Sequence, residues 1–142
     1  MEQNYWKLNI RAGAIFCGVA VVLGAFGAHA LKDVLPEWYD APRASEKLEV
    51  WKTAVMYQLM HGFALLFVGL YARFQASRLL AFSSYTFAVG IFLFSGDLYL
   101  WVLTDISIFA MIVPLGGLSF ILGWLGVVLT TFSRKFDSEG AS

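Results

Sequence analysis

Two histidines, a glutamine and an aspartate (His29, Gln58, His61 and Asp97) interrupt stretches that are otherwise almost wholly apolar. An ionisable group in such surroundings is costly to keep and usually faces a bundle interior or a wet cavity. Gln58 stands three residues before His61 and Tyr57 four before it, so on a helix all three share a face. Brought together, two imidazoles and a carboxylate would make a proton-responsive or ligand-binding pocket. The same groups can instead satisfy one another between helices, as hydrogen bonds that contribute about 1 kcal/mol each. The second reading is preferred, because only isolated hydroxyls and glycines continue inward from the cluster and a proton wire would lack stepping stones.

Sharper chemistry finds less support. Bis-histidine haem ligation needs two imidazoles facing each other at one depth. On upright helices His29 and His61 differ in depth by roughly 9 Å. One cysteine and two histidines do not make a zinc ligand set. Ser95 and Ser119 have no neighbouring base to activate them. No catalytic residue, metal or cofactor is therefore expected, and the chain reads as a non-enzyme.

The elements that would carry these residues are set by composition. Of 142 residues, 59% are hydrophobic and 14% charged, with a mean hydropathy of +0.69. A soluble domain carries about 25% charged residues, so this chain lacks the polar surface to stay in water. Formal net charge is zero and no basic stripe is present, which argues against nucleic acid as a partner. The lone Cys17 lies in an apolar run and reads as an inert packed thiol.

Four apolar runs, residues 12–31, 53–72, 79–102 and 112–132, are each near the roughly 20 residues that cross a bilayer as a helix. The expected fold is all-α, a single membrane domain over residues 1–142 built as a four-helix transmembrane bundle. The first run also resembles a signal peptide, with Lys7 and Arg11 before it and Ala28-His29-Ala30 near its end. It exceeds the usual signal core of about 7–15 residues, so it reads as a span. Between the first two runs, residues 32–52 hold Pro36, Pro42 and mixed charges. Asp40 and Pro42 suit a helix start, and Leu48, Trp51 and Val55 form an apolar stripe. A short amphipathic helix in this outer loop is expected, running into the second span, with Trp38, Tyr39 and Trp51 at the depth of the headgroups. Residues 104–111 read as irregular, with Pro114 in the first turn of the last span.

Lys7, Arg11, Arg73, Arg78, Arg134 and Lys135 fall on the side of both termini. Lys32, Arg43, Lys47 and Lys52 fall on the other, beside five acids. Basic residues favour the cytoplasm, so both termini are expected there. Small residues let membrane helices approach closely. Ala20, Gly24 and Ala28 recur every four residues on the first span, and Gly116, Ser119, Gly123 and Gly126 at three and four on the last. Both sets read as packing seams within the chain.

Ordered motifs then suggest kinship. Gly24-Ala25-Phe26-Gly27-Ala28-His29-Ala30-Leu31, Trp51-Lys52-Thr53-Ala54-Val55-Met56-Tyr57-Gln58 with His61, Phe94-Ser95-Gly96-Asp97-Leu98-Tyr99, and Pro114-Leu115-Gly116-Gly117 with Gly123-Trp124 resemble the DUF423 family, over nearly the whole chain. The resemblance implies a small multi-helix membrane protein without an agreed biochemical activity. It also implies a serine where this chain has Asp97, which shifts functional weight to His29, Gln58 and His61. The function expected is that of a structural or accessory component of a membrane complex. Its partners would be membrane lipids, other membrane-protein subunits or its own copies. The alternative is binding of a lipid- or quinone-like ligand, or small-solute or proton transport, through the polar cluster.

Overall fold

Each apolar run becomes a helix that overruns it. The computed structural model describes residues 5–75 and 77–139, the side chains of 133–139 excepted, so those of Arg134 and Lys135 lie outside the described residues. Every element described is helical. The first span comprises α1 (Tyr5–Phe26), a π-helical turn (Gly27–Leu31) and α2 (Lys32–Trp38). The second is one helix, α3 (Ala41–Phe74). The third comprises α4 (Arg78–Gly90), a second π-helical turn (Ile91–Gly96) and α5 (Asp97–Thr104), and the last is α6 (Ser107–Glu139). All four spans are long and apolar enough to cross a membrane.

The first two spans are 34 residues each. At about 1.5 Å per residue they are some 51 Å long, well beyond a hydrocarbon core of about 30 Å. The excess is the polar stretch, folded as a helical hairpin. Pro36 lacks an N–H, and α2 ends three residues after the first π turn's continuation reaches Leu35, with Tyr39 extended. The Asp40 side chain then accepts from the Arg43 amide at 3.1 Å, beside Pro42, to start α3. The expected amphipathic helix is therefore not a separate element. Its stripe packs Trp51 and Ala44 against Leu31 and Leu35, which holds it in line with the span. Trp51 is consequently core rather than interfacial, only 2% exposed, whereas Trp38 is exposed.

The turn from α5 to α6 is also tighter than expected. Asp105 adopts the left-handed conformation (φ 59°), and its amide donates to Trp101 O at 2.9 Å. An aspartate tolerates this cap better than most residues do. α6 then begins at Ser107, which places Pro114 inside the helix rather than in its first turn.

The packing order is linear. α1 lies along α3, α3 packs on the third span, and the third span packs on α6, while the first and last spans share no extended contact. The central spans are correspondingly more buried than the flanking ones. Small residues set the two tight seams. On α6, a side chain at Gly116 would reach within 2.5 Å of the Phe94 amide, one at Gly123 would enter the Phe87 ring, and one at Gly126 would collide with Ser83. Ser119 donates to Thr86 O at 2.8 Å on the same seam. The first seam follows a different period from the one read in the sequence. Ala20 is fully buried and Gly24 touches Val55, but Ala28 is exposed. The closest approaches fall at Gly13, against Gly62 O, and Gly27, against the Trp51 ring, each seven residues from Ala20. Seven residues nearly complete two turns, whereas steps of four rotate the face by about 40° each. The π turn then carries Ala28 farther round.

Candidate functional site

The buried positions of α3 include the stripe Ala44, Lys47, Trp51, Ala54, Gln58, His61, Leu65, Val68 and Ala72, and four of these nine are polar or bear a side-chain N–H. Gln58 faces the first and third spans. Its Nε2 donates to Phe16 O at 2.9 Å, and its Oε1 accepts from the Tyr99 hydroxyl at 3.0 Å. One amide thus links three spans.

His61 turns the other way. Its Nδ1 lies 2.8 Å from Tyr57 O, and its Nε2 lies 3.3 Å from the Trp124 indole N–H. The carbonyl can only accept and the indole can only donate, which assigns a neutral ring carrying its proton on Nδ1. The ring also stacks on Phe120, centroids 3.4 Å apart. Tyr57 contributes its carbonyl, but its hydroxyl does not join a shared cluster.

The four expected residues therefore do not converge. His29, in the first π turn, is exposed, whereas Gln58, His61 and Asp97 are buried. The π turn and its fit against Trp51 at Gly27 rotate His29 outward. Asp97 begins α5, is buried, and has one carboxylate oxygen with no partner among the described residues; Ser95 Oγ, in the second π turn, is likewise unpartnered. The two imidazoles do not face each other, and among the described residues no group of three His, Cys, Asp or Glu side chains converges.

Because the bundle is linear, each central span floors an open lateral groove. One, of about 520 Å³, lies between the first and third spans with Gln58, Tyr99 and Gly96 in its wall. The other, of about 610 Å³, lies between the second and last spans with His61, Met60 and Trp124 in its wall.

The sequence reading missed a polar centre at the hairpin end. Lys47 is 1% exposed, its ammonium donating to Trp101 O at 3.0 Å and meeting Asp105 at 2.7 Å. The same nitrogen sits 3.7 Å above the Trp101 ring. Arg43 meets the other Asp105 oxygen at 2.5 Å. The hydrogen bond from Lys47, together with Arg43, holds the Asp105 carboxyl below the usual range. Lys47 also caps the last turn of α5, where the helix dipole favours a cation. The signal was present: Lys47 falls on the same three-four repeat as Trp51, Ala54 and Gln58, the inward stripe of α3. Trp51 itself donates to Leu23 O at 2.8 Å, and Asn9 to Ser84 Oγ at 2.6 Å, two further links between spans.

Residues 23–117, which hold the hairpin, both π turns, Gln58, His61 and the Lys47 centre, match the family described as protein of unknown function (DUF423). The chain belongs to the DUF423 family. It is similar to a UPF0382 membrane protein of Staphylococcus aureus (strain bovine RF122 / ET3-1), at 39% identity over 89% of this chain and 96% of that one. It is similar also to the UPF0382 membrane protein YwdK of Bacillus subtilis (strain 168), at 41% identity over 87% and 94%. A third relative, a UPF0382 membrane protein of Staphylococcus haemolyticus, is 38% identical over 89% and 96%. No solved structure matches. With four apolar helices and relatives named as membrane proteins, this DUF423 chain is an integral membrane protein of a family with no assigned biochemical activity.

Proposed function

We propose that the protein is a non-enzymatic component of a bacterial plasma membrane, structural or accessory to a larger assembly, with both termini in the cytoplasm. One observation carries this reading: Gln58 gives its amide to the first and third spans, and His61 has one ring nitrogen held by Tyr57 O of its own helix and the other by Trp124 of the last span, so neither offers a free group to a reacting substrate or a proton path. With Gln58 and His61 engaged in this way, the bundle acts through its surfaces. The flanking spans bury only 17% and 22% of their most apolar windows, against 44% for the central ones, which leaves broad helix faces open to a partner. The orientation is supported by Lys7, Arg11, Arg73 and Arg78 at the terminal end.

Purification in a mild detergent followed by native mass spectrometry tests the reading. A stoichiometric second subunit or a defined homo-oligomer is expected; a lone monomer at every detergent concentration overturns it. A reporter active only in the cytoplasm, fused to the C-terminus, should be active.

A second reading rests on the groove of about 610 Å³ beside His61, which suits a quinone-like or lipid-like ligand. Substituting His61→Ala should then abolish ligand retention, and unchanged retention removes the idea.

A further inference from the structure

A third groove lies at the terminal end, between the first and third spans. It measures about 400 Å³, and Leu8, Ala12, Phe16, Ala81, Ala88 and Phe92 supply its apolar wall. It exists because α1 pairs with α3 rather than α4, while three alanines face the gap. The Asn9–Ser84 hydrogen bond lies at its base, and the Tyr5 hydroxyl accepts from the Ser77 amide at its end. From Tyr5 to Phe16 the helix rises about 16 Å, close to half of a hydrocarbon core of about 30 Å. The groove is therefore about as long as one leaflet is deep.

Its mouth is cationic. Arg11 stands three residues after the groove-lining Leu8, and Arg78 three before the groove-lining Ala81, so each borders the groove's wall; both are exposed. Lys7 and Arg73 flank them, 5.4 and 5.3 Å from the Trp6 ring centroid. Among the described side chains, the carboxylates lie in the hairpin half of the fold: Asp33, Glu37, Asp40, Glu46 and Glu49 on the hairpin, with Asp97 and Asp105 toward the far end of the third span; those of Glu2, Asp137 and Glu139 lie outside the described side chains. Among the described residues none of the four cations has a carboxylate within ion-pair reach. Basic pockets between membrane helices at the interface recognise phospholipid headgroups.

We propose that this groove binds an anionic phospholipid of the leaflet on the terminal side, its phosphate between Arg11 and Arg78 and one acyl chain lying against Ala12, Ala81 and Ala88. The occupant is a lipid rather than a protein helix because the site joins an apolar slot as long as one leaflet is deep to a mouth whose cations have no carboxylate partner among the described residues. A phospholipid presents that combination in one molecule.

The test is native mass spectrometry of the full chain in detergent, titrated with phosphatidylglycerol or phosphatidylcholine of identical acyl chains. Phosphatidylglycerol should bind at least about tenfold more tightly, and the pair Arg11→Gln/Arg78→Gln should remove that preference, at roughly fivefold per cation. Ala81→Leu with Ala88→Leu keeps the cations and fills the slot, and should weaken both lipids. Lys32→Gln/Lys52→Gln at the other end should change nothing, and glycerol phosphate, which carries the charge without tails, should not compete. Helicity by circular dichroism establishes that each variant is folded. Equal binding of the two lipids overturns the proposal, as does a preference that survives Arg11→Gln/Arg78→Gln or competition by glycerol phosphate. So does a dimer that forms in place of the lipid complex and is lost in the same variants.

Discussion

The ammonium of Lys47 meets the carboxylate of Asp105 at 2.7 Å, yet the lysine side chain is 1% exposed and the aspartate's 30%. The pair is therefore unequal. Removing the aspartate strands a cation in a dry site, whereas removing the lysine leaves a carboxylate that still has Arg43 and water. Unpaired buried charge is the expensive outcome. Asp105→Asn should thus lower the melting temperature more than Lys47→Met, which also fills the space with an apolar chain. Thermal unfolding in detergent, followed by circular dichroism, checks the order, and a larger loss for Lys47→Met would refute it.

The same pair sets a pH dependence. Lys47 first, then Arg43, depress the Asp105 carboxyl. A depressed acid stabilises the folded state above its unfolded value, near 4, and that contribution disappears as pH falls through the folded value. Wild-type protein should lose melting temperature on acidification below about pH 4. In Asp105→Asn that part of the loss should be missing, so the two curves converge at low pH. Parallel curves would sink the assignment.

Gln58 and Tyr99 should show strong coupling. Tyr99→Phe removes the donor to Gln58 Oε1, and Gln58→Leu leaves the Tyr99 hydroxyl without its acceptor. Each single change leaves an orphaned polar group in an apolar wall, while the double change leaves none on either side. The double variant should be less destabilised than the sum of the singles, by roughly 0.5–2 kcal/mol. Equilibrium unfolding in a mixed-micelle denaturant titration measures the cycle. Additivity would mean that the hydroxyl finds another partner.

What the residues disclosed in advance follows from which forces are local. Four helices were legible because an apolar run in a bilayer has to satisfy its own backbone, whatever lies beside it. Gln58 and His61 were legible as polar positions, but not their partners: three residues apart, they diverge toward different spans once α3 sits between two neighbours. That arrangement depends on Gly13, Ala20 and Gly27 meeting α3 at a seven-residue period, which Ala20, Gly24 and Ala28 mimic locally at four. The π turns have no sequence mark of their own, and the first of them moves Ala28 and His29 out of the seam. Lys47 looked like a loop cation because its hairpin reads as polar. Only its place on the inward stripe distinguishes it from Lys52, which is exposed and pairs with Glu49.

Trp124 and His61 make a bond of a more modest kind. The indole N–H to Nε2 distance is 3.3 Å, and Trp124 is 45% exposed. Interhelical hydrogen bonds in bundles average about 0.6 kcal/mol and reach about 1.7. Trp124→Phe should fall in that interval, while His61→Ala should cost more, because it also removes the ring stacked on Phe120. Unfolding free energies of the two variants decide it, and equal costs would mean that the stack contributes nothing.

Gly116 gives the sharpest contrast between crowded and open glycines. A methyl group there would lie 2.5 Å from the Phe94 amide and 2.7 Å from the Leu93 carbonyl carbon, both backbone atoms that cannot swing aside. The second π turn would have to retreat from α6, separating the third and last spans along the seam that also holds Gly123 and Gly126. Overpacking of this kind costs about 1–3 kcal/mol. Gly18, with nothing within 4 Å, faces open space on α1, and alanine there should be neutral or stabilising, since it raises helix propensity. Gly116→Ala should therefore unfold at lower denaturant than wild type and Gly18→Ala at equal or higher. If both shift alike, the close approach of α6 to the π turn is not a feature of the folded protein.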